Sequence, residues 1–292
     1  MGELLNVGDT QLWIEQRGEQ SAPPLLILHG GPGLDHHEFG DYLDPLGERY
    51  RLVFVDQRAQ GRSHRDCDTH GWTLHQMARD VSAIAAELGV ERYAVLGHSY
   101  GAFVALQHAV DGPGAAVATI ISSGLPSSRW LTEVATNLAT FEPVELRARV
   151  AASWERETSV QTEEEFAALM ADQLPFHFRD PLDPRIDEYR SQLAGTRYAP
   201  AVLRHFSGEG YGGIEVQDRL RHVHQPVLVL AGRHDRICPL AAAEAMAASL
   251  PNAELVVFEN SAHTAFVEEQ ERYLDVVRGF LDGAFATTRA RG

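Results

Sequence analysis

The chain has 292 residues, 44% of them apolar, with 41 acidic against 25 basic side chains and a formal net charge of −16. That length holds one large α/β domain with an insertion, or two small domains, and the acidity excludes nucleic acid and anionic membrane surfaces as partners, because both require a basic patch. Two cysteines, Cys67 and Cys238, lie far apart and form neither a disulfide framework nor a metal-ligand pair.

Residues 12–16 read as an early strand. Residues 25–28 and 51–55 are short continuous apolar runs, the pattern of strands buried on both faces. Residues 73–89 carry helical spacing, with Leu74, Met77, Val81, Ile84 and Leu88 on one side and Gly89 as the stop. A strand at 93–96, a helix at 102–109 and a strand at 117–121 follow. From 124 to 222 the sequence is charged and helical in pattern, with no buried strand. Strands at 226–232 and 254–258 then resume, with helices at 239–249 and 265–284. Buried strands alternating with helices predict an α/β fold, a mostly parallel sheet with helices on both faces. Residues 1–123 and 223–292 are expected to form the core domain, and 124–222 a helical cap. The first residues carry no basic-then-apolar leader, and no apolar run has the length of a membrane span, so a cytoplasmic protein is expected.

The chemistry concentrates at Gly97-His98-Ser99-Tyr100-Gly101, between a buried strand and a helix. A serine flanked by glycines at a strand-to-helix junction reads as a nucleophile elbow. The sharp turn strains the serine backbone and exposes Oγ at a helix N-terminus, where backbone N–H groups meet negative charge. Such a serine needs a base, and the base needs an orienting carboxylate. In elbow-type hydrolases these follow in the order Ser, acid, His. Asp235 lies just past the strand at 226–232, and His263 just past the strand at 254–258, so they are the expected acid and base. Gly31, in the glycine-rich His29-Gly30-Gly31-Pro32-Gly33, and Tyr100 are the expected oxyanion donors; Pro32 has no N–H to give. No phosphate-binding loop and no cluster with metal-ligand spacing is present in the sequence.

The motifs His29-Gly30-Gly31-Pro32-Gly33, Asp56-Gln57-Arg58-Ala59-Gln60-Gly61-Arg62-Ser63 and Gly97-His98-Ser99-Tyr100-Gly101 together resemble the α/β-hydrolase fold superfamily, and within it the proline iminopeptidase (prolyl aminopeptidase) group. The resemblance covers residues 1–123 and 223–285. It implies a triad of Ser99, Asp235 and His263, an oxyanion hole from Gly31 and Tyr100, and an aminopeptidase that releases N-terminal residues, often proline, from short peptides. Ala59 stands where the second motif of the group has glycine. Aminopeptidases of this group bind the substrate ammonium with cap glutamates, and Glu209 and Glu155 are the candidates here. An esterase, lactonase or amidase for a small acyl substrate would use the same triad, and a ligand-binding protein could keep the fold without catalysis. The expected partner is a small molecule or short peptide. No metal or organic cofactor is expected, because a nucleophile, a base, an orienter and donors suffice.

Overall fold

The computed structural model describes residues 2–208 and 210–289. The chain opens with an antiparallel hairpin of β1 (Gly2–Val7) and β2 (Thr10–Arg17). The apolar pattern marks only residues 12–16 of it. In β1 Val7 alone is buried, and an edge strand with wet faces carries no apolar run. Then come β3 (Pro24–Leu28), β4 (Arg51–Val55), α1 (Leu74–Glu87), β5 (Ala94–His98), α2 (Tyr100–Asp111) and β6 (Ala118–Ser122). Five helices follow before the next strand: α3 (Thr132–Ala139), α4 (Val144–Arg156), α5 (Glu163–His177), α6 (Arg185–Gln192) and α7 (Pro200–Gly208). The chain ends with β7 (Val227–Gly232), α8 (Leu240–Ser249), β8 (Ala253–Phe258), α9 (Ala265–Glu268) and α10 (Gln270–Arg289).

Among the described residues the eight strands form one sheet in the order β1-β2-β4-β3-β5-β6-β7-β8. β2 pairs antiparallel with β4, and every pair from β4 to β8 is parallel. Every residue of β3, β4, β5, β6 and β7 is buried, as expected of parallel strands covered on both faces. Alternate residues divide between two cores. Leu26, Val53 and Val95 pack with Met77 and Val81 of α1, Val104 of α2 and Met246 of α8. Leu25, Phe54 and Leu96 pack with Tyr273, Val277 and Leu281 of α10. The sheet is thus a middle layer, and its parallel strands all aim their carboxyl ends at one edge of the molecule.

The helical excursion leaves and returns at one stem. Ser128 N–H donates to the Ile214 carbonyl at 2.7 Å, Val216 N–H donates to the Pro126 carbonyl at 3.0 Å, and the Ser127 hydroxyl donates to Glu215. Helix α5 starts with a reciprocal cap: Glu165 N–H donates to Thr162 Oγ1 at 3.2 Å, and the Glu165 carboxylate accepts Thr162 N–H. Replacing Thr162 by alanine removes one of these bonds and is expected to cost about 1 kcal/mol of stability, read from the shift of a urea midpoint at unchanged slope.

Two further points differ from the periodic pattern. The final helix breaks at Glu269 (φ −130°, ψ 49°), whose carboxylate accepts Asn260 N–H and the Ser261 hydroxyl and so ties back to the loop before α9. Ala59 holds a left-handed φ of 63°, a conformation glycine adopts without the clash of a Cβ. No helix among the described residues is long and apolar enough to cross a membrane.

Candidate active site

Ser99 lies between β5 and α2 with φ 52° and ψ −118°, a strained backbone for a residue with a Cβ. The turn closes because its neighbours have no side chain. A Cβ on Gly97 would sit 2.1 Å from the Gly101 carbonyl oxygen, and one on Gly101 would sit 2.3 Å from the Leu28 carbonyl oxygen. Ser99 N–H donates to the Ser122 carbonyl at 2.9 Å, fastening the turn to β6.

His263 comes from the loop after β8, and Asp235 from the loop after β7. Ser99 Oγ lies 2.9 Å from His263 Nε2, and His263 Nδ1 lies 2.8 Å from Asp235 Oδ2. The other oxygen of Asp235 accepts the N–H groups of Ile237 and Cys238 at 2.8 and 2.9 Å, which fixes the carboxylate against the imidazole. His263 is held through its backbone: its N–H donates to the His177 carbonyl, and its carbonyl accepts the Ser123 hydroxyl. Burial disfavours the imidazolium, but the charge and hydrogen bond of Asp235 outweigh it and hold His263 above the ordinary histidine range. The rings of His98 and His177 stand 5.0 and 5.2 Å from that of His263. Burial, and then the nearby charge of His263, push both well below that range. Of the three adjacent rings, His263 is the one whose surroundings favour a positive charge.

Gly31, with φ 106°, and Tyr100, the first residue of α2, line one cavity with Ser99 and His263. Neither amide N–H has an acceptor among the described residues. The Asp56–Ser63 motif braces the loop that carries Gly31. Asp56 accepts the His36 and Arg62 N–H groups, Gln57 donates through its side chain to the His29 carbonyl at 2.7 Å, and Gln60 accepts Gly33 N–H. Arg58 is buried in a two-pronged pair with Asp80 at 2.8 and 2.7 Å, which anchors the motif to α1.

The cavity encloses about 750 Å³, solvent at its mouth included. Its far wall comes from the helical excursion, mostly as apolar side chains such as Phe166, Leu169 and Met170. Among the described residues no arginine lines it, but two glutamates do, Glu38 and Glu157. Glu157 is buried just past α4, where Gln173 donates to it at 2.7 Å and the Tyr211 hydroxyl also donates to it. Burial pushes its carboxyl up to about 7. Glu155 is exposed and does not reach the cavity. Two positions on a helix are about 200° apart, so Glu155 and Glu157 face opposite ways, while Trp154 and Glu157 share the inner face. Glu209 lies outside the described residues.

Arg236, beside Asp235, donates to the carbonyls of Phe176, Phe178 and Arg179 at 3.2, 2.6 and 3.0 Å, joining the acid's loop to the end of α5. Two sets of possible metal donors occur among the described residues, Asp35-His36-His37 and Asp235-Cys238-His263. Both are already engaged. Asp35 accepts the Arg197 N–H and both the backbone N–H and ring Nδ1 of His37, His36 pairs with Asp56, and Asp235 pairs with His263.

Residues 23–270 match the family model of the alpha/beta hydrolase fold. The chain is 30% identical over 267 residues to a proline iminopeptidase of Clostridium botulinum, covering 89% of each chain. It is 28% identical to the proline iminopeptidase of Lactobacillus delbrueckii subsp. bulgaricus, over 96% of this chain and 97% of that one. Among solved structures it superposes on a proline iminopeptidase of Mycobacterium smegmatis with a TM-score of 0.77 and 25% identity, covering 99% of this chain and 100% of the other.

Proposed function

This chain belongs to the α/β-hydrolase fold family, in its proline iminopeptidase-like group, and from that membership we propose that it is a serine hydrolase that cleaves an N-terminal residue from short peptides or amino-acid amides. The observation that carries the hydrolytic part is the unbroken hydrogen-bonded chain from Ser99 Oγ through His263 to Asp235. Ser99 Oγ attacks the substrate carbonyl as His263 Nε2 takes its proton. Asp235 holds Nδ1–H and stabilises the imidazolium. The tetrahedral oxyanion meets the Gly31 and Tyr100 N–H groups. Collapse breaks the bond to the leaving amine, which takes the proton from His263, and water then cleaves the acyl-enzyme by the same route. No metal or organic cofactor takes part in these steps.

Glu157 supports the aminopeptidase reading. The free amine of an N-terminal residue is a cation, and a buried cation requires a carboxylate partner. Glu157 is a buried acid in this cavity whose hydrogen-bond donors, Gln173 and Tyr211, are both neutral. Among the described residues it can take the role that the sequence offers to Glu155, which does not reach the cavity; Glu209 is outside the described residues. The apolar wall of Phe166, Leu169 and Met170 suits the body of a proline ring.

That same apolar wall favours a second reading, an esterase for a small uncharged acyl group. A substrate panel separates the two. Prolyl and alanyl p-nitroanilides are expected to be turned over with higher kcat/KM than short-chain p-nitrophenyl esters carrying no amine, relative to each substrate's uncatalysed rate. The reverse order supports the esterase, and turnover of neither class removes the hydrolase reading.

A further inference from the structure

Glu38 belongs to the short 3-10 helix His36–Phe39, just past the glycine-rich loop, and is 5% exposed. Its carboxylate accepts Gly30 N–H, and among the described residues no cation pairs with it. Gly30 is the spacer between this acid and the nucleophile. A Cβ there would lie 2.6 Å from Glu38 Oε1 and 3.1 Å from Ser99 Cβ. Glu38, Ser99 and His263 line the same cavity. The steps above use Asp235 as the partner of His263 and leave Glu38 without a role. A buried acid with one neutral donor is unfavourable unless a positive charge develops near it, and the reaction develops one, on His263.

We propose that Glu38 is a positioning residue of the reaction: it fixes the His29–Gly30 peptide, next in the chain to the one whose Gly31 N–H is the oxyanion donor, and its negative charge stabilises the His263 imidazolium as Ser99 attacks. This rests on the reading of Ser99 and His263 as nucleophile and base. Glu38 transfers no proton; the proton leaving Ser99 Oγ goes to His263 Nε2 as the oxygen–carbon bond forms. Burial pushes the Glu38 carboxyl up to about 7, opposed by the Gly30 hydrogen bond and by the charge of His263. Asp35 and the phenols of Tyr189 and Tyr273 also face Glu38. Asp235, Glu268, His98 and His177 are the other groups that face His263.

The test is Glu38→Gln, which keeps an acceptor for Gly30 N–H and removes the charge. Two rates are followed from about pH 5 to pH 9. One is the acylation of Ser99 by a fluorophosphonate, and the other is turnover of a p-nitrophenyl acetate ester. The expected result is a fall in kcat on the order of 10-fold, with KM changed less than about twofold. The acidic limb of both profiles moves to lower pH, because a neighbouring negative charge favours the imidazolium and its loss lets His263 deprotonate at lower pH. Glu38→Asp, which keeps the charge, leaves the limb near its wild-type position. A merely structural role lowers the amount of folded enzyme without moving the limb, so a Glu38→Gln profile that superimposes on wild type overturns the proposal. Should circular dichroism find Glu38→Gln unfolded, Glu38→Met removes the charge at similar volume, at the cost of the Gly30 acceptor, and the position of its acidic limb is read in the same way. Wild-type protein that does not label at Ser99 defeats the hydrolase reading itself, and the role of Glu38 falls with it.

Discussion

Replacing Ser99 by alanine is expected to lower kcat by roughly 10³-fold or more, about 4 kcal/mol of transition-state stabilisation. The loss is that large because the substitution removes the proposed nucleophile itself. The Oγ removed is the atom that His263 Nε2 meets at 2.9 Å. What survives is binding in the cavity and the proposed oxyanion donors, the Gly31 and Tyr100 N–H groups, the kind of contribution that leaves residual catalysis in serine enzymes stripped of their triad. Alanine has a Cβ like serine, so the backbone at φ 52° bears the same strain and the fold is not asked to change. Mass spectrometry after fluorophosphonate treatment gives the companion measurement. The wild-type protein should carry one adduct, on the peptide containing Ser99, and the variant none. A variant keeping more than about a tenth of the wild-type rate, or an adduct on a different peptide, refutes the assignment.

Glu157→Gln should separate amine-bearing substrates from neutral ones. With prolyl p-nitroanilide, kcat/KM is expected to fall on the order of 10²-fold, about 2–3 kcal/mol, the scale of one charge-assisted pair lost in a buried site. With an acetate ester it should hardly change, since glutamine still accepts from Tyr211 and preserves the wall. pH gives an independent check. The Glu157 carboxyl is pushed up to about 7, so in the free enzyme it is largely protonated at pH 6 and cannot pair with an ammonium. Below neutrality, kcat/KM for the anilide should therefore fall more steeply than for the ester, and in Glu157→Gln that difference should vanish. Equal losses on both substrates, or none on either, remove Glu157 from the amine site.

Much of this arrangement is legible in the sequence because burial on two faces writes continuous apolar runs. Strands β3 to β7 have no exposed residue, and each reads as such a run. Ser99, Asp235 and His263, which the fold joins in one hydrogen-bonded chain, are findable because each follows a strand end in the required order. Other features leave weaker marks. β1 is half wet and has no run. The break at Glu269 depends on contacts with Asn260 and Ser261, which local helical spacing cannot register. Glu157 did leave a signal: it stands three positions past Trp154, on the stripe that buries Val150 and Ser153. An acid in phase with a buried stripe is informative, whereas Glu155, beside Trp154 in sequence, is out of phase with it. Glu38 left none, since a four-residue turn has no period to violate.

The hydrogen bonds of Arg236 to the end of α5 are all made to backbone carbonyls. Carbonyls are common to every residue type, so this tie constrains the path of the chain at 176–179 and is indifferent to which amino acids follow that path. Elsewhere along α4 and α5, mutation can then reshape the cavity wall while the loop bearing Asp235 stays where His263 needs it. Drift in the cavity wall and retention of the Ser99–His263–Asp235 arrangement become separable in one chain, and a library randomised at wall positions such as Phe166, Leu169 and Met170 would start with that hydrogen-bonded chain intact.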